Sequence, residues 1–163
     1  MGLFTRHALP AARREIRVQT ERTKTAGPAR PVRIGPAGVA MAPEEADWDG
    51  AEAWHVRIPP EALEGAAEAY LVVDYLGDVA RAYLGDRLVA DDFYYGRPWE
   101  IGLHRFAPEV LEQGLTLRFL PLRKDAPVYI EKGFWPDFSG RESILQVRGL
   151  RVEIEIEQVM GFG

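Results

Sequence analysis

Short runs of alternating apolar and polar residues, each ended within a few positions by glycine or proline, limit most strongly how this chain folds. Alternation at period two puts one side-chain face on a core and the other in solvent, which is the pattern of a β-strand. Such runs occupy residues 14–19, 54–58, 70–75, 79–84 and 151–159. Sixteen glycines and twelve prolines among 163 residues indicate frequent turns and argue against a helical bundle.

Further strands are predicted at residues 87–90, 115–120 and 128–131, and short ones at 32–34 and 39–41. Gly85-Asp86 lies between two of the strands and predicts a type II′ hairpin with a positive φ at Gly85. Helical turns are predicted at 60–63 and 108–112, and loops over 20–43 and over the polar segment 44–50, which carries one tryptophan. Eight or nine short strands predict an all-β fold, a β-sandwich of jelly-roll type, formed by residues 1–163 as one domain.

The charge of the chain is unevenly distributed. The first 33 residues carry eight Arg or Lys and two Glu, whereas the whole chain has a net charge of −5, so the remainder carries −11. A basic arm at about residues 1–33 suits nucleic acid, but it has few aromatics and the acidic body repels phosphate. We therefore expect the arm to dock on the chain's own acidic body and predict no nucleic-acid partner.

Several classes of site are absent from the sequence. There is no cysteine, the three histidines (His7, His55 and His104) lack i, i+4 spacing, and no GxSxG, P-loop or GxGxxG motif occurs. Asp47, Asp49, Asp91 and Asp92 offer oxygens to Ca²⁺, but the twelve-residue calcium-loop pattern is missing, and we predict no metal or other cofactor. With no long apolar run and no secretory leader in this sequence, we expect a cytoplasmic protein without a membrane partner.

One region of the chain resembles a known family. The run YLGDVARAYLGDRLVADDFYYGRPWEIGL (75–103), continued by LPLRKDAPVYI (120–130), resembles a C-terminal segment of bacterial β-galactosidase-like proteins of glycoside hydrolase family 35. The resemblance covers residues 69–131 and, weakly, 148–159. It implies a galactose-binding-like jelly roll that accompanies a catalytic barrel. The family's two catalytic glutamates lie in that barrel, and no residue of this chain corresponds to them.

A dense group of aromatic and charged residues follows the predicted hairpin. Sugar binding requires aromatic faces and planar polar groups, and both are supplied by Phe93, Tyr94, Tyr95, Arg97, Trp99 and Glu100. In an alternative interpretation, Phe93 and Trp99 close one end of the sandwich and Arg97 pairs with Glu100. Asp91 and Asp92 are a poor catalytic pair because adjacent residues of a strand point to opposite faces.

A second aromatic group, Phe134, Trp135 and Phe138, lies in a Gly/Pro-rich segment and predicts a contact surface for another domain. His55 and His104 have no neighbouring nucleophile in the sequence and are predicted to be structural. The favoured hypothesis is a non-catalytic accessory module that binds a neutral saccharide weakly or braces a catalytic glycosidase domain or subunit. A ligand-free scaffold or protein-interaction domain and a small independent carbohydrate-active enzyme are the alternatives.

Overall fold

The computed structural model describes residues 12–156, and β-strands dominate this part of the chain. In chain order the strands are β1 (Arg13–Arg17), β2 (Gln19–Lys24), β3 (Glu52–Arg57), β4 (Glu68–Leu76), β5 (Val79–Leu84), β6 (Arg87–Phe93), β7 (Trp99–Gly102), β8 (Leu115–Phe119), β9 (Leu122–Arg123), β10 (Ser143–Ile144) and β11 (Gln146–Glu155). The α-helix α1 (Glu109–Gln113) is a single short segment. Short 3-10 helices lie at Glu45–Gly50, Pro60–Ala62, His104–Phe106 and Lys132–Phe134.

The strands form three antiparallel sheets. The first has the order β1-β11-β4-β7, the second β2-β3-β8-β5-β6, and the small third sheet pairs β10 with β9. The chain passes from the first sheet to the second at Val18, between β1 and β2. The loop from β6 to β7 also connects the two large sheets, since β6 is an edge strand of the second sheet and β7 an edge strand of the first. This loop carries much of the candidate sugar-binding segment.

Both large sheets contribute to one hydrophobic core. Alternate residues of β4 (Leu71, Val73 and Tyr75) and of β8 (Leu115, Leu117 and Phe119) are buried in the same cluster, together with Val152 and Ile154 of β11. Period-two alternation in both sheets therefore produces a shared interior. Burial of each such aliphatic side chain stabilises the fold by roughly 1.5–3 kcal/mol. The predicted all-β class is confirmed.

The hairpin prediction is confirmed. Leu84 pairs with Arg87 across a two-residue turn, and Gly85 has a φ of 57°. A glycine reaches this region without the steric cost that a β-branched residue meets.

Four other local predictions are wrong or incomplete. Residues 128–131, predicted as a strand, form none. Residues 20–24, predicted as part of a loop, belong to strand β2. The short strands predicted at 32–34 and 39–41 reduce to one bridge between Ile34 and Ala40. The last predicted strand ends at Glu155, and its positions 157–159 lie outside the described residues.

Residues 45–50 of the polar segment predicted as a loop form a 3-10 helix, and its tryptophan is buried. Trp48 packs with Val79 and Leu120 in a second, smaller core cluster. The guanidinium groups of Arg81 and Arg118 lie over its ring, 4.4 Å and 5.7 Å from the centroid. Through these apolar and cation–π contacts, the ring packs the segment against the outer face of the second sheet.

The described part of the basic arm is integrated into the fold. Four of its six described arginines form ion pairs with carboxylates of the acidic body: Arg13 with Glu100, Arg22 with Glu52, Arg30 with Asp78 and Arg33 with Asp47. These ion pairs neutralise part of the positive charge of the arm within the chain. None of the helices formed by residues 12–156 has the length and apolar character of a membrane span.

Candidate functional site

A cavity of about 360 Å³ opens beside the turn between β4 and β5 and the loop that follows β6. We call it the aromatic cleft. Its walls are mainly apolar and come from four separate segments: Val39, Ala40 and Met41; Gly77 and Asp78; Phe93, Tyr94 and Tyr95; and Leu122, Pro127, Val128 and Tyr129, with Arg30 beside them. A concave apolar site with a few convergent polar groups is the usual form of a small-molecule site.

The two charged side chains of the cleft form an ion pair. Arg30 Nε donates to Asp78 Oδ2 at 2.7 Å, and the two side chains are only 8% and 7% exposed. Arg30 Nη1 also donates to the carbonyl of Met41 at 2.9 Å. Burial raises the pKa of Asp78, and the guanidinium partly offsets this increase. The pair is therefore well ordered, close to neutral overall and sensitive to the loss of either partner.

Backbone hydrogen bonds position Asp78 between neighbouring segments. Its N–H donates to the carbonyl of Leu120 at 2.8 Å, and its own carbonyl accepts from the N–H of Tyr94 at 3.0 Å. No hydrogen bond within the described residues uses Arg30 Nη2 or Asp78 Oδ1. These two atoms therefore keep hydrogen-bonding capacity that no described residue uses.

Aromatic side chains surround the opening of the aromatic cleft. Phe93, Tyr95 and Tyr129 are 55%, 47% and 88% exposed. Tyr94 is buried and packs edge-on against Tyr75, with ring centroids 5.5 Å apart. Three rings therefore remain available to a ligand, while Tyr94 anchors the loop to the core.

A second cavity, of about 510 Å³, lies next to the cleft and is more polar. We call it the open depression. It is lined by Val72, Asp92, Tyr95, Arg97, Pro98, Trp99, Glu100 and Arg151. Tyr95 belongs to both cavities.

The six predicted sugar-site residues are therefore divided between two cavities. Phe93 and Tyr94 line the aromatic cleft, whereas Arg97, Trp99 and Glu100 line the open depression. Trp99 is 8% exposed and belongs to the core, so it does not offer a free face for stacking. The packing alternative describes Trp99 correctly, but not Phe93, which is exposed.

Glu100 is paired with a residue that sequence reasoning did not connect to it. Arg13 Nη1 lies 2.8 Å from Glu100 Oε1, and the same guanidinium contacts Glu153 and Glu155 of β11. The predicted pairing of Glu100 with Arg97 is thus replaced by an ion-pair network on the outer face of the first sheet. Hydrogen bonding to these carboxylates, Glu100 above all, raises the pKa of Arg13.

Asp92 forms a hydrogen bond with a residue of the hydrophobic core. Tyr75 Oη donates to Asp92 Oδ2 at 2.7 Å. Burial raises the pKa of Asp92, the hydrogen bond from Tyr75 opposes this change, and the neighbouring charge of Asp91 adds to it. Burial likewise raises the pKa of Tyr75. Asp92 is therefore mainly a structural carboxyl, although one side of it borders the open depression.

The second predicted aromatic group is also divided by the fold. Phe138 is buried in the main core, while Phe134 and Trp135 stay partly exposed. Phe134 lies directly on Gly96, which has a φ of 106° and leaves no room for a Cβ atom. The segment after residue 132 therefore packs against the loop that carries Tyr95.

The two described histidines do not form a catalytic or metal centre. His104 Nε2 is buried without a hydrogen-bond partner among residues 12–156, and His55 lines a small polar hollow with Glu21 and Arg57. Within the same part of the chain, no three His, Asp or Glu side chains are grouped to hold a metal ion.

Sequence reasoning missed Arg30, Asp78, Met41 and Tyr129. Their positions in the chain show no common pattern, since Arg30 and Asp78 are 48 residues apart. The only available signal was Gly77-Asp78 at the end of a predicted strand, where function often resides in the turn.

Comparisons of the sequence with protein-family models, with curated proteins and with solved structures found no match in any of the three. The resemblance to the C-terminal segment of glycoside hydrolase family 35 proteins accordingly stays a prediction.

Proposed function

We propose that this protein is a non-catalytic β-sandwich module of jelly-roll type that binds a neutral saccharide in the aromatic cleft. The observation that carries the proposal is the juxtaposition of exposed aromatic rings with the buried Arg30–Asp78 pair in one cavity. Rings contact the C–H faces of a sugar, and the pair supplies a hydrogen-bond donor and an acceptor for neighbouring hydroxyls.

Shape and charge support this ligand class. The cavity volume of about 360 Å³ lies within the roughly 300–1,000 Å³ typical of small-molecule sites. Arg30 is already neutralised by Asp78, so a phosphate or carboxylate ligand would have to compete with that carboxylate. An uncharged polyol uses both remaining polar atoms without breaking the pair.

The affinity is expected to be weak. An open cleft with exposed rings buries little area, and ordering a flexible sugar opposes binding. We expect a Kd of roughly 10 μM to 10 mM.

Binding is tested by adding galactose, lactose or β-galactan fragments to ¹⁵N-labelled protein. We expect amide shifts at residues 39–41, 77–78, 93–95 and 127–129. Tyr129→Ala should weaken binding several-fold without unfolding the protein, since this side chain is 88% exposed. Leu88→Ala is the matched control, because Leu88 is an exposed apolar residue that does not line the cleft. If no amide shifts at tens of millimolar sugar, the proposal is wrong.

Phe134 and Trp135 favour the second candidate, a module that braces another protein domain, because both are large apolar side chains left partly exposed. A glycosidase catalytic domain is the partner that the family resemblance implies. In that case, adding the partner domain shifts the NMR amide signals of residues 133–143, and Trp135→Ala abolishes these shifts.

Among residues 12–156, the enzyme alternative rests on Asp92 and Glu100, since both carboxylates line the open depression. Each carboxylate is already engaged, by Tyr75 and Arg13 respectively. We expect no turnover of a nitrophenyl β-galactoside. Activity that disappears in Asp92→Asn or Glu100→Gln would establish the enzyme instead.

A further inference from the structure

Tyr95 separates two cavities of different chemistry. Successive side chains of β6 point to opposite faces of the strand, so Phe93 lines the aromatic cleft and Asp92 lines the open depression. Tyr95 itself borders both cavities and is 47% exposed. A ligand that extends from one cavity to the other would therefore contact this ring.

The combined space is larger than one sugar ring requires. The cleft measures about 360 Å³ and the depression about 510 Å³. Each alone is within the roughly 300–1,000 Å³ range of small-molecule sites. A monosaccharide in the cleft would leave the second cavity filled with solvent.

Arg97 is the charged side chain of the open depression that has no ion-pair or hydrogen-bond partner among the described residues. The other charged groups there are engaged: Glu100 with Arg13, Arg151 with Glu153, and Asp92 with Tyr75. Arg97 forms no ion pair with any of the described residues and is exposed. Its guanidinium can donate several hydrogen bonds in one plane, which two neighbouring hydroxyls of a sugar can accept.

We infer that the ligand is an oligosaccharide of at least two units, which lies across Tyr95 from one cavity to the other. One unit occupies the aromatic cleft, and the next receives hydrogen bonds from Arg97 in the open depression. This inference rests on the proposed saccharide binding in the cleft and adds the length of the ligand and the residue that recognises its second unit.

The test compares galactose with β-1,4-galactotetraose, and glucose with cellotetraose, by NMR titration of the whole chain. We expect one series to bind, with the tetrasaccharide about tenfold tighter than its monosaccharide, as two additional hydrogen bonds would provide. Arg97→Ala should remove this gain and leave monosaccharide affinity unchanged. Tyr129→Ala should weaken both ligands equally, because Tyr129 lines only the cleft.

Arg87→Ala is the matched control, since Arg87 is an exposed arginine outside both cavities. It should retain the tenfold gain. If monosaccharide binds but the tetrasaccharide binds no tighter, or if the gain persists in Arg97→Ala, the two-cavity inference is wrong while the proposed function stands. If neither series binds at all, both are wrong.

Discussion

Replacing Arg30 with methionine tests the structure of the cleft most directly. The substitution keeps an unbranched apolar stem but removes the guanidinium that lies 2.7 Å from Asp78. The carboxylate would then be buried without a counterion. The carbonyl of Met41 would also lose the hydrogen bond it accepts at 2.9 Å.

The size of the effect follows from the burial of the pair. Removing one partner of a buried ion pair costs about 3–5 kcal/mol, because the remaining charge is uncompensated. Both side chains here are less than one tenth exposed, so we expect a loss in that range. The matched control is Arg87→Met, whose ion pair with Glu109 has a similar distance of 2.9 Å but lies on the surface. We expect that variant to lose about 0.2–1 kcal/mol.

The loss should depend on pH. Burial raises the pKa of Asp78 above its ordinary value of 3.8, and without Arg30 the rise is larger. A carboxyl with a higher pKa in the folded state binds its proton preferentially there, so stability is greatest below the unfolded pKa and falls as the pH rises through the folded pKa. The deficit of Arg30→Met relative to the wild type should therefore be largest at pH 7 and shrink towards pH 4.

The free energy of unfolding is measured by urea titration at both pH values, with the fluorescence of the buried Trp48 contributing to the signal. The deficit of the double variant Arg30→Met/Asp78→Asn relative to Asp78→Asn should not depend on pH through this site, because neither protein carries the titrating carboxyl. A deficit no larger than that of the surface control, or one that grows on acidification, would refute the description of the pair as buried and desolvated.

Three further changes test the backbone and the core. Gly85→Val should cost at least about 1 kcal/mol in thermal unfolding, since it forces a β-branched residue to positive φ, whereas Gly102→Val, at a position with open space and no positive φ, should cost less. Gly114→Ala should lower the free energy of unfolding, measured by urea titration, by about 2 kcal/mol or more, because the φ of Gly114 is 69° and a Cβ there would overlap a backbone carbonyl. A loss smaller than that of Gly102→Ala would contradict this. Tyr75→Phe should cost about 1.5–3 kcal/mol at pH 7, because it removes the hydrogen bond to Asp92, and less at pH 4 once that carboxyl is protonated; a deficit independent of pH would argue against an ionised acceptor.

Local patterns in the sequence were sufficient for several parts of the fold. Period-two alternation located β4 and β5, and Gly85 located the turn after β5, because these features depend on residues a few positions apart. Alternation did not predict β2, where all six residues are exposed and no apolar face marks a strand. The same reasoning placed a strand at 128–131, although those residues instead contribute Val128 and Tyr129 to the wall of the cleft.

The candidate site was only partly predictable. The sequence alone determined that aromatic and charged residues are concentrated between Phe93 and Glu100. It also determined that the chain is all-β and that its amino-terminal part is positively charged. Tertiary structure decided which of those side chains face a ligand: Trp99 enters the core, and Glu100 pairs with a residue 87 positions away, Arg13. It also brought Arg30 to Asp78. Contacts between residues so far apart depend on how the sheets pack and on which charges become buried together, and neither is encoded in local spacing.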